Sequence, residues 1–357
     1  MDLAQRVLAG DRLALARTLS QVENGTAEGK SALSLLFPHT GKAHLVGVTG
    51  ASGTGKSSLV NQLARYYRKL NQDDHPRRVG IVAVDPTSPF TGGAILGDRI
   101  RMRDLAGDPG VFIRSMATRG SLGGIASATA SVVQVLDAAG YDLILIETVG
   151  AGQSEVDIAR LAHTTIVVEA PGLGDDIQAI KAGILEIADV LVVNKADLPG
   201  VENTERALRG SLNLAHPLPH HFMHHGKRSE ASGHGKRSEL SGQGKLEIVP
   251  NQSAASDAAE PVWEPPILRT VALDGTGIPK LVDAIADHRA YLDATGGWTQ
   301  RERWRLQSEL DLLLQNTLVE DFHSRLPAGV YEQAVEDMLK RHISPFQAVE
   351  KLVDSVG

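Results

Sequence analysis

Hydrophobic residues near the start of the chain recur at helical spacing. The series is interrupted at Gly10 and again at Asn24-Gly25, and it consists of Leu3, Val7, Leu8, Leu13, Leu15, Ala16 and Leu19. Positions three and four residues apart lie on one face of a helix, so this spacing is typical of short amphipathic helices. Residues 1–40 are therefore expected to form an N-terminal helical extension that packs through its apolar face.

From about residue 41 the pattern changes to short apolar runs that alternate with helical stretches. Seven runs predict strands: Leu45–Val48, Val79–Val84, Val111–Ile113, Leu143–Ile146, Thr164–Val168, Val190–Val193 and Ile267–Ala272. Several of them are apolar on both faces, as in parallel strands that helices cover on each side. The pattern predicts an α/β fold over residues 41–290, with a doubly wound, mostly parallel sheet that binds ligands beyond the carboxyl ends of its strands.

Residues 216–266 interrupt this alternation. They contain a tandem repeat, His225–Gly233 followed by His234–Gly242, that is rich in glycine, serine and charge. A segment of this composition buries too little apolar surface to offset the entropy lost on ordering the chain. We therefore expect a low-complexity, disordered insertion here.

Helical spacing returns after Leu281. One apolar face is marked by Leu306, Leu310, Leu313, Leu314 and Leu318, and another by Ala334, Met338, Leu339 and Ile343. Helices with such faces either pack on a core or form a subunit interface. Residues 291–357 are thus expected to form a C-terminal helical extension.

Composition refines this picture mainly by exclusion. The 357 residues carry a formal net charge of −7, which argues against general nucleic-acid binding because that normally requires a basic surface. The absence of cysteine excludes disulfides, thiolate metal sites and cysteine nucleophiles, and it is compatible with a reducing cytoplasm. The chain shows no signal peptide and no uninterrupted apolar stretch of roughly 18 residues, so we expect a cytoplasmic protein without a membrane partner.

The strongest chemical signal is a complete P-loop pattern between a predicted strand and a predicted helix. A loop of this kind wraps a phosphate with successive backbone N–H groups and the N-terminus of the following helix. Its lysine reaches the β- and γ-phosphates, and its serine hydroxyl binds Mg²⁺. The expected phosphate-binding residues are Gly50, Ala51, Ser52, Gly53, Thr54, Gly55, Lys56, Ser57 and the adjacent Ser58.

A second motif, Asn194-Lys195-Ala196-Asp197, has the spacing by which GTPases recognise guanine. The Asp197 carboxylate can accept hydrogen bonds from the ring N–H and the exocyclic amino group of guanine, whereas adenine offers no matching pair of donors. An acceptor left unpaired costs about 1–3 kcal/mol, which supports strong discrimination. The backbone following the last predicted strand can hold the carbonyl edge of guanine. The expected nucleotide-binding residues of this region are Asn194, Lys195, Asp197, Val271, Ala272 and Leu273.

Acidic residues at predicted strand ends indicate a metal-dependent phosphate site. Asp85 and Glu147 each follow a strand, where they can hold Mg²⁺ directly or through water, and Asp98 in a glycine-rich loop is a further candidate. The string that begins at Glu147 also has the form of a γ-phosphate sensor, in which the Gly150 N–H meets the terminal phosphate. Gln153 can orient the attacking water. This arrangement is typical of a nucleotide-dependent switch.

Together these motifs resemble the MeaB/ArgK group. Its members are P-loop GTPases that act as chaperones of methylmalonyl-CoA mutase and related adenosylcobalamin enzymes. The resemblance extends from about Leu3 to the C-terminus apart from residues 216–266, and residues 147–155 (Glu-Thr-Val-Gly-Ala-Gly-Gln-Ser-Glu) are its most specific part. It implies GTP hydrolysis, GTP-dependent control of cofactor loading, protection of the mutase, and a homodimer to which the C-terminal helices contribute.

The resemblance also implies roles for individual residues. Residues 171–181 match a third mobile loop that communicates with the mutase, and Lys181 is its candidate for a charge that reaches the nucleotide site. The implied catalytic residues are Lys56, Glu147, Gln153 and Lys181, and the implied Mg²⁺ surroundings are Ser57, Asp85, Asp98 and Glu147. The P-loop interior lacks the proline that is common after the first glycine in this family, which should alter loop stiffness more than chemistry.

Two other functions remain open from the sequence. A nickel-delivery GTPase is suggested by the histidines within or beside the repeat, since imidazole suits nickel; they are His216, His220, His221, His224, His225 and His234. An ATP-dependent transport-system kinase is the second alternative, although a guanine-reading aspartate argues against it.

Overall fold

The computed structural model describes residues 2–72, 75–86, 102, 104–105, 107–118, 124–148, 158–172, 185–215 and 262–356. Their centre is a seven-stranded sheet formed by β1 (His44–Thr49), β4 (Val79–Pro86), β5 (Val111–Thr118), β6 (Leu143–Thr148), β7 (Thr164–Glu169), β8 (Val190–Val193) and β9 (Ile267–Arg269). Two further strands, β2 (Asn71–Gln72) and β3 (His75–Pro76), make a small antiparallel pair.

The strand order in the sheet is β5-β4-β6-β1-β7-β8-β9, and every described pair in it is parallel. The predicted α/β fold and its seven strands are therefore confirmed, with different ends. β4 and β6 each continue two residues beyond their predicted ends, so Asp85 and Glu147 lie inside strands rather than after them. β9 ends at Arg269, because Val271 turns back to form an isolated antiparallel bridge with Thr276.

Helices cover the sheet. In the described part of the chain they are α1 (Leu3–Leu8), α2 (Arg12–Glu23), α3 (Ala27–Leu36), α4 (Lys56–Lys69), α5 (Gly124–Ala138), α6 (Val201–Ala215), α7 (Ile278–Thr295), α8 (Gly297–Arg325), α9 (Val330–Leu339) and α10 (Pro345–Asp354). The predicted boundary at residue 290 falls inside α7, which continues to Thr295 before Gly296 breaks the helix with a φ of 71°. No described helix is both long and apolar enough to cross a membrane.

Alternation along the strands divides the buried residues between two faces. Leu45 and Ile146 belong to a first core, which α1, α2, α3 and α5 complete. Val46 and Leu145 belong to a second core, on the face covered by α4 and α7. The N-terminal extension is thus part of the main packing, because α2 and α3 contribute buried side chains to the first core. This double coverage explains why the central strands are apolar at nearly every position.

Candidate nucleotide-binding site

The loop after β1 has the backbone geometry that a phosphate cradle requires. Gly50 has a φ of 134°, and a Cβ there would lie 2.1 Å from the Val168 carbonyl oxygen. Gly55 has a φ of 92°, and a Cβ there would lie 2.5 Å from Asn194 Nδ2. Both positions therefore require glycine for conformation and for space. The close approaches bring the loop against β7 and against the residue that follows β8.

Lys56 begins α4 and bends across the loop. Its Nζ donates hydrogen bonds to the carbonyl oxygens of Gly50 and Ala51, each at 2.8 Å, and the side chain is only 5% exposed. The loop is braced internally by Thr54 Oγ1, which donates to the Ala51 carbonyl at 3.0 Å. A lysine ammonium and a helix N-terminus are thus brought together, an arrangement that favours binding of an anion.

Ser57 and Glu147 meet at the carboxyl edge of the sheet. Ser57 Oγ donates to Glu147 Oε1 at 2.5 Å, and both residues are buried. A hydroxyl and a carboxylate are hard oxygen ligands, so this pair fits Mg²⁺. The described residues contain no group of three or more His, Cys, Asp or Glu side chains able to hold a metal. Mg²⁺ is commonly held by one or two protein groups together with substrate phosphates and water.

The residues of the second motif have distinct positions. Asn194 is 1% exposed, and its Nδ2 donates to the Thr54 carbonyl at 2.8 Å. Its Oδ1 accepts hydrogen bonds from Thr270 Oγ1 at 3.0 Å and from the Ala272 N–H at 3.1 Å. Asn194 therefore joins the P-loop to the loop after β9. Thr270 was not predicted; its only sequence signal is its place beside the predicted Val271-Ala272-Leu273 segment.

Lys195 and Asp197 lie further out. Lys195 has a left-handed φ of 56°, and its Nζ donates to the Gly53 carbonyl at 2.7 Å. This contact draws the lysine over the P-loop, whereas Asp197 is exposed. An exposed carboxylate two residues beyond a lysine that contacts the P-loop is able to receive a ligand's hydrogen-bond donors.

The loop after β9, which is predicted to hold the carbonyl edge of guanine, is closed by hydrogen bonds of its own. The N–H groups of Val271 and Ala272 donate to the Thr276 carbonyl and to Asn194, so these groups shape the loop. Leu273 is 85% exposed, and its carbonyl accepts from Gln62 Nε2 at 3.5 Å. The Thr276 N–H also donates to Asp274 and lowers the pKa of that carboxyl.

Several predicted residues cannot be located in this site. Asp98, Gly150, Gln153, Lys181 and the repeat lie outside the described residues. For Asp85 the backbone is described in β4, next to β6, while its side chain is not. The structure therefore brings together the P-loop, Glu147 and the Asn194 motif.

The family becomes evident on comparison with known proteins. The sequence profile described as methylmalonyl-CoA mutase-associated GTPase MeaB matches residues 15–326. The chain belongs to the MeaB family. It is accordingly a GTPase, which hydrolyses GTP, and the resemblance inferred from its motifs is confirmed.

Individual relatives agree with this assignment. A GTPase-family relative from Pyrococcus abyssi is 39% identical over 355 residues, covering 99% of this chain and 96% of the relative. GTPase ArgK of Escherichia coli is 31% identical, with 99% and 95% of the two chains covered. Methylmalonic aciduria type A homolog, mitochondrial, of Caenorhabditis elegans is 34% identical over 209 residues, or 55% of this chain and 51% of that protein. The crystal structure of a LAO/AO transport system kinase shares the fold, with a TM-score of 0.62 at 23% identity over 99% of this chain and 95% of that one.

Proposed function

We propose that this MeaB-family GTPase is a chaperone of an adenosylcobalamin-dependent acyl-CoA mutase of the methylmalonyl-CoA mutase type. In this role it controls cofactor loading and protects the mutase. The observation that carries the proposal is the match to the mutase-associated family over residues 15–326. It is supported by the hydrogen bond through which Asn194, the first residue of the proposed guanine-reading motif, contacts the P-loop. The similarity to a methylmalonic aciduria type A homolog points in the same direction.

In the proposed mechanism the P-loop amides and the Lys56 ammonium hold the β- and γ-phosphates. Lys56 already lies on the loop carbonyls, so it needs only to turn outward to neutralise charge that develops on the transferred phosphoryl group. Ser57 and Glu147 would hold Mg²⁺, with Asp85 and Asp98 as further oxygen ligands. When bound, Mg²⁺ supplies charge neutralisation on the phosphate oxygens.

The remaining roles concern recognition and switching. Asp197 binds the guanine ring, Gly150 senses the γ-phosphate, and Gln153 orients the attacking water. Lys181 brings a further positive charge to the site when the mutase is bound. In this proposal the partner therefore accelerates hydrolysis by completing the charge balance of the site.

We further propose that the protein is cytoplasmic and forms a homodimer. The dimer is argued from α8, whose first turns attach to the rest of the protein through charged side chains while its apolar side chains are exposed. The inward face of those turns carries buried or largely buried charge: Arg301, Glu302, Arg305 and Glu309. The apolar side chains of the same helix are exposed instead: Leu306, Leu310, Leu313, Leu314, Leu318 and Val319, at 37–64%. A contiguous exposed apolar face of this kind is typical of a protein interface. Sedimentation of the parent protein and of Leu313→Glu tests the dimer, since a charge at that face should leave monomers.

The mutase proposal is tested by gel filtration of the full-length protein with a candidate acyl-CoA mutase. The two proteins should co-elute, and the amount of complex should differ between GDP and a non-hydrolysable GTP analogue. A variant with Lys56 replaced by Ala serves as the nucleotide control and should lose that difference. Separate elution in both nucleotides, with every mutase of this class tried, would reject the proposed partner.

The alternatives have less support. The histidines that suggest nickel delivery lie outside the described residues, and nickel titration of the full chain before and after deletion of residues 216–261 tests that role directly. For the transport-kinase alternative, the likeness to the LAO/AO transport system kinase at 23% identity concerns the fold alone. Competition between ATP and GTP for the purified protein distinguishes it from a GTPase.

A further inference from the structure

Two threonine hydroxyls meet inside the protein at the base of the nucleotide site. Thr49 is the last residue of β1, immediately before the P-loop, and Thr148 is the last residue of β6, immediately after Glu147. Their Oγ1 atoms share a hydrogen bond at 3.1 Å, and the two residues are 0% and 1% exposed. Thr148 belongs to the predicted γ-phosphate-sensor string, but neither threonine was predicted to have a role of its own in the site.

This contact continues the link between the two strands. The parallel register of β1 with β6 runs from His44↔Leu143 to Val48↔Glu147. One residue further along, Thr49 still pairs with Val167 of β7 and Thr148 with Val84 of β4, whereas the described register between β1 and β6 has ended. The hydroxyl pair joins the strand tips at the point where the P-loop begins.

The pair also lies on the opposite face of the sheet from the Ser57–Glu147 contact. Thr148 is two residues from Ile146 and so faces the first core, whereas Glu147 is two residues from Leu145 and faces the second core and α4. Successive residues of β6 are therefore held from both faces. Glu147 contacts Ser57 on one side, and Thr148 contacts Thr49 on the other.

We propose that Thr49 and Thr148 are positioning residues for GTP hydrolysis. Their hydrogen bond fixes the tip of β6 relative to the P-loop strand, so that the Glu147 carboxylate keeps its place beside Ser57. The inference rests on the proposed role of Glu147 in binding Mg²⁺. Small displacements of a catalytic group are costly: a shift of about 1 Å can reduce a rate by about 10²-fold.

Valine has the shape of threonine without the hydroxyl, which makes a double-mutant cycle the test. Thr49→Val or Thr148→Val alone leaves the other hydroxyl buried without this partner, so each should lower the melting temperature. The double variant replaces both groups with apolar ones and should recover most of that loss. All three should show kcat for GTP hydrolysis reduced by about tenfold and a raised Mg²⁺ requirement, with GDP affinity nearly unchanged.

Two further variants separate positioning from packing. Thr148→Ser keeps the hydroxyl and should restore kcat. Thr18→Val is the matched control, because Thr18 is 0% exposed and its hydroxyl has no hydrogen-bond partner within the part of the chain that the structure describes. It should leave kcat and the Mg²⁺ requirement at the parental values.

The outcomes distinguish this inference from the proposed metal site. If the double variant recovers kcat along with its melting temperature, or if Thr148→Ser is as slow as Thr148→Val, the hydroxyl pair has no positioning role. If Glu147→Gln raises the Mg²⁺ requirement while the Thr148→Val variant keeps the parental one, the metal site stands and the inference fails. If Glu147→Gln itself keeps the parental requirement, the proposed role of Glu147 is wrong.

Discussion

The two edges of the same parallel sheet use polar groups in opposite ways. At the carboxyl edge, Lys56 bonds to backbone carbonyls of a loop, and Asp197 is exposed. At the amino edge, imidazole, carboxylate and guanidinium side chains form hydrogen bonds with one another and with Thr164. The residues there, which we name the floor cluster, are His44, His163, Asp189, His288, Arg301 and Glu302. One edge is arranged to receive a ligand, and the other satisfies its own charges.

The floor cluster fastens α8 to the sheet. Arg301 makes a two-pronged contact with Asp189, at 2.7 and 2.8 Å, and donates to the His163 carbonyl at 2.7 Å. Burial alone would raise the pKa of the Asp189 carboxyl, but Arg301 and His288 lower it further than burial raises it. Since Asp189 and His163 immediately precede β8 and β7, the charged face of α8 is attached at the opposite end of the strands from the nucleotide site.

Loss of charge should therefore have different consequences at the two edges. Removing the Lys56 ammonium from the carboxyl edge removes binding and catalysis. It leaves loop carbonyls that water can solvate when the ligand is absent. Removing a cation from the floor cluster leaves a buried carboxylate without its partner, which chiefly costs stability. The predictions below test this division.

The largest effect on function is expected for Lys56→Ala. Loss of the ammonium that faces the β- and γ-phosphates should reduce kcat for GTP hydrolysis by about 10³-fold, because charge developing on the phosphoryl group is no longer neutralised. The circular dichroism spectrum and melting temperature should stay close to parental. Phosphate release assays provide the measurement, and retained turnover would show that the P-loop is not the catalytic site.

The largest effect on stability is expected for Arg301→Met. Breaking a buried ion pair from one side typically costs about 3–5 kcal/mol, and urea unfolding should show a loss of this size. Arg325→Met is the matched control on the same helix, since Arg325 pairs with Asp321 at the surface and should contribute about 0–1 kcal/mol. The kcat per folded molecule should be unchanged in both variants. Equal losses of stability would mean that the floor cluster is no more than a set of surface pairs.

Asp197→Asn should alter selectivity at the carboxyl edge without altering stability. An amide cannot accept both guanine hydrogen bonds, so GTP affinity should fall by about 10²-fold while xanthosine triphosphate binds better. Fluorescent-nucleotide competition measures both affinities. GTP binding as tight as that of the parent would contradict the guanine-reading role.

The difference between the edges also explains what could be predicted from sequence. The strands are predictable because they are buried on both faces, and the nucleotide edge is predictable because glycine, lysine and aspartate recur there at fixed local spacing. The floor cluster combines His44, His163, Asp189 and Arg301, which are far apart in the chain. No local pattern reports such a contact, because tertiary packing alone brings these residues together. The Thr49–Thr148 pair escaped notice for the same reason.

The smallest expected effect is a pH dependence of stability that belongs to the floor cluster. The Leu45 N–H donates to His163 Nδ1 at 3.1 Å, so Nε2 carries the ring proton and faces Glu302 Oε1 at 2.5 Å. A second proton on the His163 ring would set its Nδ1–H against the Leu45 N–H. Burial lowers the pKa of His163 despite the nearby Glu302 carboxylate, and it lowers that of His44 well below 6.5.

Because these imidazoles are neutral in the fold, the unfolded chain binds more protons once the pH falls below about 6.5, and stability decreases from there. Burial would raise the pKa of Glu302, but its hydrogen bonds with His163 and Arg305 lower that pKa to about 2. A second loss of stability should therefore follow as the pH falls below about 4.5. Glu309 opposes this trend, because burial raises the pKa of its carboxyl.

Thermal unfolding between pH 7 and 5 measures the first loss. His163→Gln should make the loss smaller, because the amide can accept from Leu45 and donate to Glu302 without titrating, while the contribution of His44 remains. Over the same range the Lys56→Ala variant should keep the full parental slope, since its substitution lies at the other edge of the sheet. A His163→Gln protein as acid-sensitive as the parent would show that the titrating groups lie elsewhere.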